Sequence, residues 1–290
     1  MVEGYSPNTF EEALKILNEE DVIIYAGGTD LMVKNKNITS LLPKFTKDLL
    51  YVGDLNELKE IKEDDNKIKI GAACTLSSLL RVESIPEVLK EAIQNIASPA
   101  IRNMGTIGGN ICNASPAGDT LPILYALEAK LKLVSINSSR EVNINDFIVG
   151  SGKIILKDNE MLESILIEKV KFNKIYYQKV GARKACAISK TSFVALAEVS
   201  NQKIIDIRIA IGSVGPKIVR VKEAEDILIG RELKDIENLM SEVKKVYSEK
   251  IIPINDQRST ATYRKTVVLR LIQFFLQYKV VFEHSVKSEK

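Results

Sequence analysis

Two glycine pairs, Gly27-Gly28 and Gly108-Gly109, set inside polar stretches between apolar segments, constrain this chain more than any other feature. The first follows the short apolar run Val22-Ile23-Ile24-Tyr25-Ala26, which reads as a buried strand running straight into Gly27-Gly28-Thr29-Asp30-Leu31. Consecutive glycines allow positive φ and close approach of a ligand to the backbone. Successive amide N–H groups in such a turn can form a nest for an anion, usually phosphate, and the Thr29 hydroxyl adds a donor. Taken alone, the stretch is equally a plain turn. The second stretch, Ser98 to Asp119, is rich in Gly, Asn, Ser and Pro and shows no regular period. A long loop of this kind between ordered elements is often functional. Within it Gly108-Gly109 reads as a second close-approach turn. Asp119 either caps the apolar helix that follows or accepts hydrogen bonds from ligand hydroxyls. Neither stretch has the G-x-x-x-x-G-K-[ST] pattern of a P-loop or the G-x-G-x-x-G pattern of a Rossmann site.

The rest of the chain is read from periodicity. Thr9 and Glu12 form a capping box before Phe10, Ala13, Leu14 and Leu17 at helical spacing. Strands are expected at Leu49 to Val52 and Lys67 to Gly71, and a short helix from Thr75 or Ser77 through Leu80. A further helix opens at Pro86 and carries Val88, Leu89, Ala92 and Ile96 on one face. After the loop come a helix from Thr120 to Leu127, a strand from Ala129 to Ile136 and an extended stretch from Met161 to Phe172. Strands at Ser192–Val199 and Ile204–Ile211 turn at Asn201-Gln202. Helices follow at Val221–Leu228, Leu233–Glu249 and Ser259–Phe282, the last with Thr262, Leu269, Ile272 and Phe275 facing inward. Strands followed by helices make the second part an α+β domain.

Composition excludes several classes. The net charge is +3, and basic residues are interspersed with acidic ones, so no nucleic-acid partner is expected. No apolar run approaches the roughly 18 residues of a membrane span, and Met1-Val2-Glu3-Gly4-Tyr5 lacks the pattern of a signal peptide. The expectation is a cytoplasmic protein that engages no membrane. The one histidine, His284, stands in a polar tail, so no Ser-His-Asp or Cys-His pair and no H-E-x-x-H site can form in the body. Cys74, Cys112 and Cys186 are too few and too scattered for a four-cysteine cluster and read as three buried free thiols. Any hard chemistry points to a cofactor.

The combination Ala26-Gly27-Gly28-Thr29-Asp30-Leu31, then Ile101-Arg102-Asn103 with Gly105-Thr106-Ile107-Gly108-Gly109-Asn110, then Ser115-Pro116-Ala117-Gly118-Asp119 resembles the flavoprotein subunits of carbon monoxide, nicotinate and xanthine dehydrogenases. Tyr177-Gln178-Lys179 with Arg183, Arg208 to Gly212 with Pro216, and Asp256-Gln257-Arg258 with Tyr263-Arg264 continue the resemblance to about residue 280. It implies an α+β protein: a PCMH-type FAD-binding fold of two α/β subdomains, followed by a smaller α+β C-terminal domain of the carbon monoxide dehydrogenase flavoprotein type. The expected bounds are 1–173, 174–282 and a polar tail at 283–290.

The resemblance also implies roles. Ile24, Tyr25, Ala26, Gly27, Gly28, Thr29, Asp30 and Leu31 would wrap the FAD pyrophosphate. Ile101, Thr106, Gly109 and Asn110 would add phosphate and ribityl contacts. Asp119 would bind adenosine or ribityl hydroxyls, Leu162 would touch a ring of the cofactor, and Lys179 would lie near the isoalloxazine. No catalytic side chain and no metal ligand is expected. The partners would be a large molybdopterin subunit and a small subunit with two [2Fe–2S] clusters, in a dimer of heterotrimers, with NAD⁺ as the electron acceptor. The xanthine dehydrogenase type is the leading reading. Alternatives are a nicotinate, carbon monoxide or aldehyde dehydrogenase subunit, a stand-alone flavin reductase of the same fold, and an interaction subunit that has lost its flavin. The last is opposed by the intact glycine pairs.

Overall fold

The computed structural model describes residues 2–36 and 43–283. The expected tail, with His284, lies outside the described residues apart from Glu283. Contacts divide the chain into two units that do not follow chain order. The first comprises residues 1–86, 97–115 and 128–169, the second 87–96, 116–127 and 170–290.

The first unit contains a three-stranded parallel sheet in the order Gly4–Tyr5, Asp48–Tyr51, Val22–Tyr25. The helix Phe10–Glu19 buries Ala13, Leu14 and Leu17 against Leu50, Val52, Leu55 and Leu58. Each buried leucine contributes roughly 1.5–3 kcal/mol. The Thr9 hydroxyl accepts from the Glu12 N–H, and the Glu12 carboxylate accepts from the N–H of Asn8 rather than that of Thr9, so the box closes one residue early. A five-stranded antiparallel sheet runs Ile61–Glu63, Lys67–Gly71, Met161–Glu168, Lys130–Ser135, Ser138–Asn143. Its central strand carries a register shift between Leu162 and Ser164. A bulge there breaks the alternation of faces; Met161 and Leu162, just before it, are both buried.

The segment 98–119, read as an irregular loop, is instead largely helical in its first part. Helices Pro99–Met104 and Ile107–Cys112 occupy it. Both are too short to show a hydrophobic period, but each carries a start signal. Ser98 accepts from the Ile101 N–H with Pro99 in the first turn, and Thr106 accepts from the Gly109 N–H.

In the second unit, strands Lys174–Val180, Thr191–Ser200, Lys203–Gly212 and Val219–Arg220 form an antiparallel sheet in that order. Asn201 and Gln202 both have positive φ, 48° and 60°, as a two-residue hairpin turn of mirror-image type requires. One face, with Phe193, Ala195, Ile207, Ile209 and Ile211, packs in the core shared by helices Lys222–Leu228, Ile236–Lys250 and Ala261–Phe274. The last continues as a π-helix over Phe275–Phe282. Ile272 and Phe275 are buried as expected, whereas Thr262 is exposed, because Arg264 and Val268 supply the inward side of the first turns. Helix Leu121–Ala126, buried along its whole length, packs on the two central strands. The carbonyls of Tyr125 and Ala126 at its end accept from Arg220 and Arg208, which supplies partners that a helix terminus lacks. Helix Glu87–Gln94 packs on the first strand and buries Val88, Leu89, Ala92 and Ile93; Ile96 falls just past its end and is only half-buried.

Candidate functional site

In the first unit the first glycine pair packs against the backbone of Met104 and Gly105, in the segment just before the second pair. Strand Val22–Tyr25 is held in register by Asp48–Tyr51, and the Val52 N–H donates to the Tyr25 carbonyl at 2.8 Å. The tilted Tyr25 and Tyr51 rings lie 5.1 Å apart. Gly28 has φ +68°, and its carbonyl receives the Met32 N–H at the start of helix Leu31–Lys34. Gly27 does not share that positive φ. A Cβ on it would lie 1.9 Å from the Met104 carbonyl oxygen, so glycine is required there by the close approach of the helix Pro99–Met104. Asn113 donates to the Asp30 carboxylate at 3.2 Å and accepts from the Lys34 ammonium.

Gly108 and Gly109 do not form the expected turn, because they lie inside helix Ile107–Cys112. The start of that helix is docked by backbone bonds: Ile107 N–H to the Cys74 carbonyl, Gly108 N–H to the Ala72 carbonyl, and Leu76 N–H to the Gly105 carbonyl. A Cβ on Gly108 would stand 2.6 Å from the Ala72 oxygen, whereas one on Gly109 would meet only Thr106 Oγ1, at 2.8 Å. The first glycine of the pair serves packing, and the second is exposed.

A cavity of about 130 Å³ opens in this unit. Its wall includes Ile24, Ala26, Thr106, Gly109 and Leu162 from the sequence-expected set. It adds Ala72, Ala73, Cys112, Leu156 and Met161, among others, which sequence reasoning missed. The run Ala72-Ala73 after a strand was the available signal, since small residues leave room beside a glycine. The walls are mainly apolar, and the volume suits a part of a dinucleotide rather than the whole, since sites for complete ligands run to roughly 300–1,000 Å³. Burial pushes the Cys112 thiol up to about 12 and the Cys74 thiol up to about 11. Of the three cysteines expected to be buried, Cys186 is exposed and Cys112 only partly covered. Cys186 lies at φ 50° in the segment between two strands, where no core forms over it.

Other expected residues have separate surroundings. Ile101 is 41% exposed. Asn110 is half-buried and its N–H donates to the Thr106 carbonyl. In the second unit Asp119 does not cap the helix after it: Thr120 holds the cap position, and its side chain makes no capping bond to that helix. The Asp119 carboxylate instead accepts from Lys179 Nζ at 2.7 Å and from the Ser189 hydroxyl. Lys179 also donates to the Asn95 carbonyl at 2.8 Å. Burial raises the Asp119 carboxyl above its ordinary value, against the opposing pull of Lys179 and Ser189. Among the described residues no group of three or more His, Cys, Asp or Glu could hold a metal ion, and no helix is long and apolar enough to cross a membrane.

The protein class follows from sequence-family matches over both parts of the chain. Residues 1–168 match the FAD binding domain in molybdopterin dehydrogenase, and residues 176–278 the CO dehydrogenase flavoprotein C-terminal domain. The chain belongs to the FAD-binding, medium-subunit family of the molybdenum hydroxylases. It is 32% identical over 263 residues to the glyceraldehyde dehydrogenase medium chain of Sulfolobus acidocaldarius, covering 90% of this chain and 92% of that one. It is 28% identical to the xanthine dehydrogenase FAD-binding subunit of Escherichia coli O157:H7, covering 95% and 93%. A chain of the Hydrogenophaga pseudoflava carbon monoxide dehydrogenase that lacks the Mo-pyranopterin moiety superimposes with a TM-score of 0.86 at 25% identity, over 96% of each chain. The α+β architecture expected from the motifs, a PCMH-type FAD-binding fold with a carbon monoxide dehydrogenase-type C-terminal domain, is therefore the fold of this protein.

Proposed function

We propose that this chain is the FAD-binding electron-transfer subunit of a xanthine dehydrogenase-type molybdenum hydroxylase. In this reading electrons enter from [2Fe–2S] clusters of a small partner subunit, and a pair leaves to NAD⁺. Bound FAD supplies the chemistry that converts single-electron arrivals into a two-electron delivery. The observation that carries the reading is the convergence of Ile24, Ala26, Thr106, Gly109 and Leu162 on one apolar cavity, with Gly27 set against Met104 beside it. The residues fit a flavin dinucleotide. The half-exposed backbone from Gly27 to Leu31, with Gly28 at positive φ, offers amides to a pyrophosphate. The Tyr25 ring packs beneath that turn. Leu162 and the small cavity residues offer an apolar surface to a ring. Thr106, Gly109, Asn110 and Ile101 provide the second-loop contacts, and Asp119 and Lys179 the contacts that the resemblance assigns to hydroxyls and to the isoalloxazine.

The molybdopterin centre and the [2Fe–2S] clusters reside in partner subunits, in a dimer of heterotrimers in the cytoplasm. A second reading places an aldehyde at the molybdenum subunit, favoured by the 32% identity to a glyceraldehyde dehydrogenase medium chain. Purified chain, FAD and both partner subunits are assayed in every combination with xanthine, glyceraldehyde and nicotinate, following NAD⁺ reduction. The proposal expects xanthine turnover by the full set and none by this chain alone. Turnover of glyceraldehyde only by the full set replaces the substrate and keeps the FAD role. Xanthine oxidation by the isolated chain overturns the electron-transfer role.

A further inference from the structure

The geometry points to Ser189 as a positioning residue that, with Asp119 and the Asn95 carbonyl, fixes the Lys179 ammonium for its flavin contact. This rests on the reading of Lys179 as an FAD contact made above. Lys179 lies on strand Lys174–Val180 with its side chain 10% exposed, and the Asp119 side chain is 7% exposed. A buried ion pair seldom earns its place by stability, because desolvating both charges offsets most of their attraction. Perturbed buried pairs concentrate instead at functional sites. Here the pair is built from all sides. One carboxylate oxygen of Asp119 accepts from Lys179 and the other from the Ser189 hydroxyl. An ammonium has three N–H donors. Among the described residues two of them are used, on Asp119 and on Asn95, and the third is available to an acceptor.

Ser189, itself 1% exposed, is fixed by its surroundings. Its carbonyl accepts from the Ser213 hydroxyl, and the carbonyl of the next residue, Lys190, accepts from the Arg264 guanidinium. Arg264 is 3% exposed and held by both Asp256 oxygens. The other groups near the pair are Tyr177 and Glu91. The Tyr177 hydroxyl is buried and has no hydrogen-bond partner among the described residues, and burial together with the Asp119 and Glu91 carboxylates pushes its ionisation upward, so it stays a neutral phenol. Lys179 is thus the cation of this cluster, and its charge is balanced by Asp119.

The electrostatic consequence has a sign. A positive charge near the flavin favours its reduced form and a negative charge opposes it. Asp119→Asn unmasks Lys179, and Lys179→Met unmasks Asp119. Ser189→Ala keeps both charges but removes a donor that favours the ionised carboxylate.

The test measures FAD dissociation constants and flavin midpoint potentials of the 290-residue chain as a function of pH. Asp119→Asn is expected to raise the potential and Lys179→Met to lower it. Ser189→Ala should shift it in the same direction as Asp119→Asn, weaken FAD about ten-fold, the loss of one hydrogen bond to a charged group, and be rescued by Ser189→Thr. A merely structural serine would change thermal stability without moving the potential. If Lys179→Met alters neither affinity nor potential, the underlying FAD-contact reading falls. If Lys179→Met alters them and Ser189→Ala leaves both at the wild-type values, the positioning role alone falls. Should Asp119→Asn not fold, Ser189→Ala decides by itself, since it leaves both charges in place.

Discussion

Replacing Gly27 by alanine should separate the two glycine loops. The added Cβ would stand 1.9 Å from the Met104 oxygen and 2.6 Å from its carbonyl carbon, where ordinary contact begins at 3.4 Å. Helix Pro99–Met104 would have to move by about 1.5 Å, the difference between 3.4 and 1.9. The obstacle is backbone, which cannot rotate away as a side chain can. Overpacking of this severity costs about 3 kcal/mol, equivalent to a fall in Tm of about 6–12 °C for a body of this size. Gly28→Ala meets a different obstacle, the Tyr25 ring at 2.4 Å and a φ of +68°. The ring can yield, so the cost is mainly the left-handed backbone, about 1–2 kcal/mol. Calorimetry and flavin-fluorescence titration of both variants check this. Gly27→Ala should lose more stability and bind FAD at least ten-fold more weakly than wild type. A Gly27→Ala protein that melts and binds FAD like wild type would refute the claim that this contact joins the loops.

Glu160 accepts two bonds from Arg140 and one from the Lys157 N–H, and the Arg140 pairing leads in holding its carboxyl below the usual range. A lowered folded value means stability complete above the unfolded pKa and lost as pH falls through the folded one. Glu160→Gln should therefore cost about 1–3 kcal/mol near neutrality, with the gap to wild type closing in acid; denaturant melts showing a constant gap would contradict this. Arg264→Lys should destabilise by about 3 kcal/mol or more, because an ammonium cannot serve Asp256, Lys190 and Ser213 together; a chemical denaturation midpoint equal to wild type would count against it. In thiol titration near pH 8, Cys186 should react in the native protein. Cys74 and Cys112, at about 11 and about 12, should hold back until unfolding, with a thiolate fraction of roughly a thousandth or less; three fast thiols would be the contrary result.

Elements with a strong local signal were legible from sequence. The apolar run from Phe193 to Ala197 lies in a strand buried on both faces, and Asn201-Gln202 supplies the positive φ of its hairpin. The helix start at Thr9 was readable from its cap, and of the two starts open to the next short helix, Thr75 or Ser77, it is Thr75 that caps. The two helices inside 98–119 were not, because six residues are too few for a period and a Gly-Gly pair argues against helix formation. What overrides that propensity is tertiary: Gly108 is where the helix packs on Ala72. Similarly, Gly27 and Gly28 look alike in sequence, yet one serves a close approach and the other a positive φ. Of the cavity wall, Ile24, Ala26, Thr106, Gly109 and Leu162 are residues that the family resemblance points to. Ser189 carries no motif of its own, and only the fold brings it to Asp119.

The central claim, that FAD is held by both glycine loops, is tested most directly by amide hydrogen exchange of the chain with and without saturating FAD. The account predicts slowed exchange in peptides spanning residues 24–31 and 105–112, including the Gly28 and Thr29 amides. Saturable FAD binding with protection elsewhere and unchanged exchange in both loops would contradict it.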